Sequence, residues 1–334
     1  MTAYRARLYR LIFAVAAAYN VAFGLWAAIW PRSFFALFDF DPPRYPSIWA
    51  CLGMVIGLYG AGYAYAAWKL DRAAPFIAIG LAGKLLGPAG WLTAVTSGEW
   101  PVRTLSLIVF NDIIWWVPFA LFLLEGTRVG GRVRASAPYV CAAINLAAVV
   151  VMAAALRFGT ELVPAVADRV RYIAQNPVLW RAGWSLWIAA ALSLAAFYAW
   201  WGSYLRNPRW GVTAVVIVSI GVVCDLLAES LLIGWLPRDY ERVGPLTTLL
   251  TGGAANGLYT LAGIILTITT DGLRGWLRAM AWTIWIAGIS LSVCAVAGFA
   301  MGIAASTTVL FVLFCPWVVL LARVLPSRDP AVAL

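Results

Sequence analysis

The chain has 334 residues, 63% of them hydrophobic and only 11% charged, against about 25% charged in a typical soluble domain. That balance excludes an ordinary water-soluble protein and a disordered one. Histidine is absent, which removes HExxH metalloproteases, histidine-cluster desaturases, histidine-ligated haem and Ser-His hydrolases.

The net charge of +10 does not point to nucleic acid, because no basic stripe alternates with exposed aromatics. The basic residues sit in short loops between apolar runs, where they report membrane orientation. Cys51, Cys141, Cys224, Cys294 and Cys315 lie in apolar stretches without a CxxC spacing, so they read as small buried hydrophobes. Arg5, Arg7 and Arg10 precede the first apolar run like the charged start of a signal peptide. That run is too long for a signal peptide's apolar region and no small-residue cleavage site follows, so it is expected to stay as the first membrane helix.

A spanning helix needs about 20 apolar residues. Ten segments meet that length, at about 9–30, 48–68, 74–96, 104–124, 138–157, 182–205, 211–235, 246–270, 277–298 and 304–323. The alternation of membrane β-strands is missing, so the expected fold is all-α, a polytopic transmembrane helical bundle. With the N-terminus in the cytoplasm, fourteen basic residues fall on the cytoplasmic side and nine on the other. The expected place is a bacterial-type cytoplasmic (inner) membrane, both termini inside.

The expected domains are a four-helix unit over 1–124, a cytoplasmic linker over 125–137, a six-helix unit over 138–325 and a short tail, 326–334. The linker, EGTRVGGRVRASA, lacks apolar periodicity. In the stretch 160–176, Leu162, Val163, Val166, Val170 and Ile173 recur at helical spacing opposite Asp168, Arg169 and Arg171. This predicts an amphipathic helix lying on the outer surface. The two halves show no match, which weighs against inverted repeats.

Trp30, Trp49, Trp68, Trp100, Trp180, Trp210, Trp235 and Trp276 fall at span ends, as an interfacial belt does. Trp115, Trp116, Trp184, Trp187 and Trp285 lie deeper. They either pack or line a cavity for a flat apolar ligand.

Four ionisable residues fall within spans, where each costs about 2.5–3.5 kcal/mol at a helix centre. Lys84 lies among Gly80, Gly83, Gly87 and Gly90, and the preceding run carries Gly53, Gly57 and Gly60. Two such small faces let backbones approach closely, so the two runs are expected to meet along these glycines. Lys84 stands about 20 Å from the outer loop and Asp112 about 15 Å, a difference a lysine side chain covers. With Asn111 beside it, Asp112 is expected to pair with Lys84, as a structural clamp or as a second site open to substrate.

Asp225 and Glu229, four apart, share one helix face, and two carboxylates this close disfavour joint ionisation. Thr251 and Asn256 bracket Asp225 in depth, and Gly252-Gly253 in mid-span is expected to expose carbonyls. Together these oxygens suit a proton or a small cation. Arg181, with Arg157, is placed to neutralise Glu229. Asn20 and Asn145 are expected to hydrogen-bond between helices. No phosphate-binding glycine loop and no DDxxD pair occurs, and no cofactor or dedicated metal site is expected.

Residues about 10–124 resemble the small four-helix bacterial membrane domains of the DoxX-like group. The likeness rests on Pro42-Pro43-Arg44-Tyr45-Pro46, Trp49, Gly53, Gly57, Tyr59, Gly60, Gly83-Lys84, Gly87-Pro88, Asn111-Asp112, Trp115-Trp116 and Pro118-Phe119. That group is functionally mixed and linked to redox and membrane-stress gene sets, so the resemblance implies a fold and transfers no activity.

Three functions remain open on the sequence. The first is a membrane protein that binds or translocates a small or lipophilic molecule, with Asp225, Glu229, Asn256, Thr251 and Arg181 as its binding or coupling set. The second is a cofactor-free acid–base isomerase or cyclase of a lipid or isoprenoid, with Asp225 and Glu229 catalytic and tryptophan walls. The third is an accessory or scaffold subunit. A polar cavity beside Asp225 separates the first two from the third.

Overall fold

The structure is a computed structural model that describes residues 1–325 except Phe40 and Arg274. The expected tail, 326–334, and Arg274 of the orientation count lie outside the described residues. Among the described residues the chain is helical with no strand. Ten helices are long and apolar enough to cross a membrane: α1 (Ala3–Ile29), α2 (Pro46–Trp68), α3 (Ala74–Thr96), α4 (Val102–Leu123), α5 (Arg128–Ala154), α6 (Pro177–Gly202), α7 (Pro208–Gly234), α8 (Tyr240–Thr269), α9 (Trp276–Val296) and α10 (Ala300–Val324). Even α9, the shortest at 21 residues, reaches about 32 Å, matching a hydrocarbon core of about 30 Å. Large apolar side chains face outward, among them Leu58, Leu86 and Val178, each more than two-thirds exposed. Such surfaces are stable only against lipid. The chain is a multi-pass membrane protein by this length and composition.

It divides into two compact units, Met1–Gly131 and the part from Arg132 onward. The boundary falls inside α5 and within the stretch expected as a linker, 125–137. Residues 128–137 are the first turns of a continuous helix. Thr127 Oγ1 accepts the Gly130 N–H at 3.0 Å, a hydroxyl cap on the free amides of a helix start. The arginines there are compatible with a helix because only its apolar part needs lipid.

In the first unit α1 lies along α2. A Cβ on Gly24 would stand 2.6 Å from the Gly53 carbonyl oxygen, and one on Gly53 2.7 Å from the Ala28 nitrogen. The small face of α2 therefore meets α1, not the glycines of α3 as expected. Of the α3 glycines, Gly80 lies beneath the Tyr63 ring, Gly87 faces the Asp112 carboxylate, and Gly83 faces open space. Small residues set how closely helices approach, and the rest of the face decides which helix comes. Behind this seam Phe13 stands edge-on to Phe119 and Phe122, an arrangement that suits the ring quadrupoles. Trp49 and Trp100 surround the ring of Phe34 on the short helix Ser33–Leu37. Asn20 donates to the Ala16 carbonyl of its own helix at 2.8 Å, not across helices as expected.

In the second unit α6 to α10 pack as successive neighbours. Their core holds Phe197, Trp201, Trp285 and Trp317. Each indole N–H finds an acceptor: Trp201 on Thr270 Oγ1 at 2.9 Å, Trp285 on Thr267 Oγ1 at 2.8 Å, Trp317 on the Leu277 carbonyl at 3.0 Å. Asn145 of α5 donates to Ser193 Oγ of α6 at 3.2 Å, the interhelical bond expected of it. Between α5 and α6 the amphipathic stretch forms a helix only over Val166–Gln175. It is tied back by Tyr172, whose hydroxyl donates to the Ala155 carbonyl at 2.9 Å.

The α1–α2 seam generates a test. Gly24→Val should lower the melting temperature of the detergent-solubilised protein, at an overpacking cost of about 1–3 kcal/mol. Gly57→Ala, where a Cβ meets nothing within 4 Å, should leave it unchanged or slightly raised.

Candidate functional site

The two carboxylates of α7 open onto a cavity of about 410 Å³. All six spans of the second unit line it, with residues such as Asn145, Trp184, Asp225, Thr251, Trp285 and Phe311. The helical repeat puts Gly221, Asp225 and Glu229 on one stripe of α7, and each has a distinct task. Gly221 leaves room for Tyr259 of α8: a Cβ there would lie 2.7 Å from the Tyr259 ring. The Tyr259 hydroxyl then donates to Asp225 Oδ2 at 2.9 Å. Its backbone is held in turn by Tyr198, which donates to the Tyr259 carbonyl at 2.8 Å. Glu229, one turn on, is 1% exposed, and among the described residues its Oε2 has no hydrogen-bond partner.

The expected set of hard oxygen ligands is not assembled. Leu249–Ala255 of α8 is a π-helical stretch, which contains Gly252 and Gly253. Such a widened turn leaves backbone carbonyls in need of donors. Ser292 of α9 supplies them, donating to the Gly252 carbonyl at 3.0 Å and lying 3.2 Å from that of Gly253. Asn256 donates to the Gly288 carbonyl at 2.6 Å and to Ser292 Oγ at 2.9 Å. The Asn256 amide nitrogen and the Gly252 carbonyl are thus committed to α9, while Asn256 itself lines the cavity. Thr251 lines the cavity without a side-chain bond to the acids. Among the described residues no group of three or more metal-ligating side chains occurs.

Arg181 is also displaced from its expected place. It is exposed on α6, does not line the cavity, and pairs with neither acid. The α-helix turns it away from the stripe that carries Trp180, Trp184 and Trp187. Arg157 lines the cavity but is exposed, with its guanidinium 4.7 Å from the Phe158 ring centre.

Trp184, Trp187 and Trp285 line the cavity, and Trp180 joins them. Trp180, expected in the interfacial belt, is buried and donates to the Leu232 carbonyl at 2.8 Å. Among the described residues the indole nitrogens of Trp184 and Trp187 have no hydrogen-bond partner. Over one end of the cavity the loop after α5 is fastened by two bonds. Thr248 donates to Glu161 Oε1 at 2.9 Å, and Tyr240 to the Gly159 carbonyl at 3.1 Å. Some lining residues are themselves exposed, namely Ala153 of α5 and Thr308 of α10 within the spans, and Arg157 and Leu162 in the loop. The cavity therefore meets the surface along the apolar helices as well as at the loop.

The first unit buries Lys84 and Asp112. Lys84 Nζ lies 3.8 Å from Asp112 Oδ1 and donates to the Asn111 carbonyl. Asn111 Nδ2 donates to Asp112 Oδ1 at 3.0 Å, and Trp116 to the Lys84 carbonyl at 2.8 Å. A π-helical turn, Val109–Ile113, carries Asn111 and Asp112. Trp115 is buried against the core, its indole bonded to the Phe110 carbonyl. Trp115 and Trp116 thus pack and bond within this unit. The cavity that Asn111 and Asp112 touch, about 350 Å³, is walled by Trp49, Trp91 and Trp100 instead.

Sequence reasoning missed Tyr259, Tyr198, Trp180 and Glu161. A phenol three residues after Asn256, at the depth of Asp225, was the available signal for Tyr259. Glu161 carried none, since its role depends on the fold of a loop. No protein-family model, no curated protein and no solved structure matches this chain.

Two substitutions probe these geometries. Tyr259→Phe removes one hydrogen bond to Asp225 and should cost about 1 kcal/mol in reversible unfolding in mixed micelles. Lys84→Met strands Asp112 and should cost about 3 kcal/mol, most of it recovered when Asp112→Asn is added.

Proposed function

We propose that the chain is a membrane protein that binds a small lipophilic molecule in the cavity of its second unit, with Asp225, Glu229 and Tyr259 as the polar contacts. The observation that carries this reading is the meeting of an aromatic-walled cavity with a buried carboxyl that lacks a hydrogen-bond partner. Cavities that bind small molecules are largely apolar with a few convergent polar groups. Exposed cavity residues on α5 and α10 support entry from the bilayer. Proton coupling through the Asp225/Glu229 pair, and residence in a bacterial cytoplasmic membrane with both termini inside, belong to the same proposal. The DoxX-like resemblance of the first unit adds no activity to it.

The Tyr259–Asp225 bond beside an unpartnered Glu229 favours one second reading, an acid–base enzyme acting on a lipid or isoprenoid. A proton donor and an acceptor facing one apolar cavity are its minimum equipment. A scaffold role is disfavoured by the cavity itself.

The test is occupancy. A neutral probe, 2-(naphthyloxy)ethanol, should be retained by the purified protein in phosphatidylcholine nanodiscs above empty discs. Thr307→Trp, placed to fill the cavity from α10, should reduce retention at least tenfold without lowering the melting temperature. Equal retention by both proteins removes the cavity as the binding site.

A further inference from the structure

The proposed binding site has a sign. Asp225 and Glu229 share one stripe of α7, and among the described residues neither is ion-paired. Asp225 receives one hydrogen bond, from Tyr259, while Glu229 Oε2 receives none. The basic side chains near enough to matter are turned elsewhere. Arg157 stacks on Phe158 at the exposed rim, and Arg181 lies outside the cavity. The interior is therefore acid-rich and wants donors.

Two further observations, independent of the acids, point to an occupant. Trp184 is more than nine-tenths buried, lines the cavity, and its indole N–H has no partner. It asks for an acceptor. Trp180, Trp184, Trp187, Trp285, Tyr198 and Tyr259 line the cavity, and aromatic rings attract a desolvated cation.

From this we infer that the occupant is a lipophilic amine carrying an acceptor oxygen. This rests on the binding reading above. The ammonium offers three N–H donors and no acceptor, which suits Glu229 and Asp225 together. Its charge removes the conflict between two carboxylates on one helix turn, and its positive face meets the indole rings. The acceptor oxygen answers Trp184, and the apolar body fills the space toward Phe311 and Phe314. A neutral alcohol satisfies one carboxyl oxygen and brings no charge that would let both acids ionise. An anion meets two acids of its own sign.

Three probes with one body separate these cases: 2-(naphthyloxy)ethylamine, 2-(naphthyloxy)ethanol and naphthyloxyacetate. Binding is measured by equilibrium dialysis against the full-length protein in phosphatidylcholine nanodiscs, with empty discs subtracted. The amine should bind at least tenfold tighter than the alcohol, and the acid weakest. Asp225→Asn with Glu229→Gln should abolish the amine's advantage, bringing its Kd to within about twofold of the alcohol's. Where that double variant fails to fold, Glu229→Gln alone should narrow the amine's advantage over the alcohol at least threefold. An alcohol or acid that binds as tightly as the amine overturns the inference and leaves the binding reading standing. An amine advantage that survives the substitutions also overturns it. Retention of none of the three above empty discs overturns both.

Discussion

In an apolar bundle a carboxyl group must be paired, hydrogen-bonded or neutral, and the second unit of this protein holds two of them one helical turn apart. Their surroundings follow from that constraint. Gly221 gives up its side chain so that Tyr259 can reach Asp225. Tyr198 holds the backbone of Tyr259. Glu229 is left with an oxygen that nothing in the described residues satisfies. The first unit solves the same problem differently. There Lys84 faces Asp112, while Asn111 and Trp116 complete the polar set. One unit neutralises its buried acid with a lysine, and the other keeps its acids beside empty space.

The same demand acts on the backbone. Both buried polar centres lie on or beside π-helical turns, Val109–Ile113 and Leu249–Ala255. A π-turn interrupts the regular ladder and frees carbonyls that lipid cannot satisfy. At the first, Lys84 takes up the Asn111 carbonyl. At the second, Ser292 takes up those of Gly252 and Gly253. Irregular backbone at membrane depth thus appears where another helix supplies donors.

Much of the fold was legible because lipid imposes a length. Apolar runs placed all ten helices, and the errors lie at the ends. Hydropathy started the fifth helix at 138, whereas the helix begins at Arg128, since arginines extend a helix freely once it leaves the apolar layer. Partner choice was less legible. The glycines of α2 announced a close approach, yet the partner was α1, because a stripe of small residues carries no label for its complement. The acids were visible as acids, and their spacing gave the shared stripe. Tyr259 was hidden because a tyrosine in an apolar run reads as packing until its hydroxyl's neighbour is known. Trp180 was misassigned for a similar reason. Its place near a helix end matches an interfacial residue, while the loop folded over that end buries it.

The breadth of the cavity wall has a mechanical consequence. Six helices, of which α6 to α10 meet mainly as sequential neighbours, each lend a side chain to one shared cavity. A molecule seated there would act as a keystone, joining helices far apart in the chain and knitting the second unit into one cooperative body by mass action.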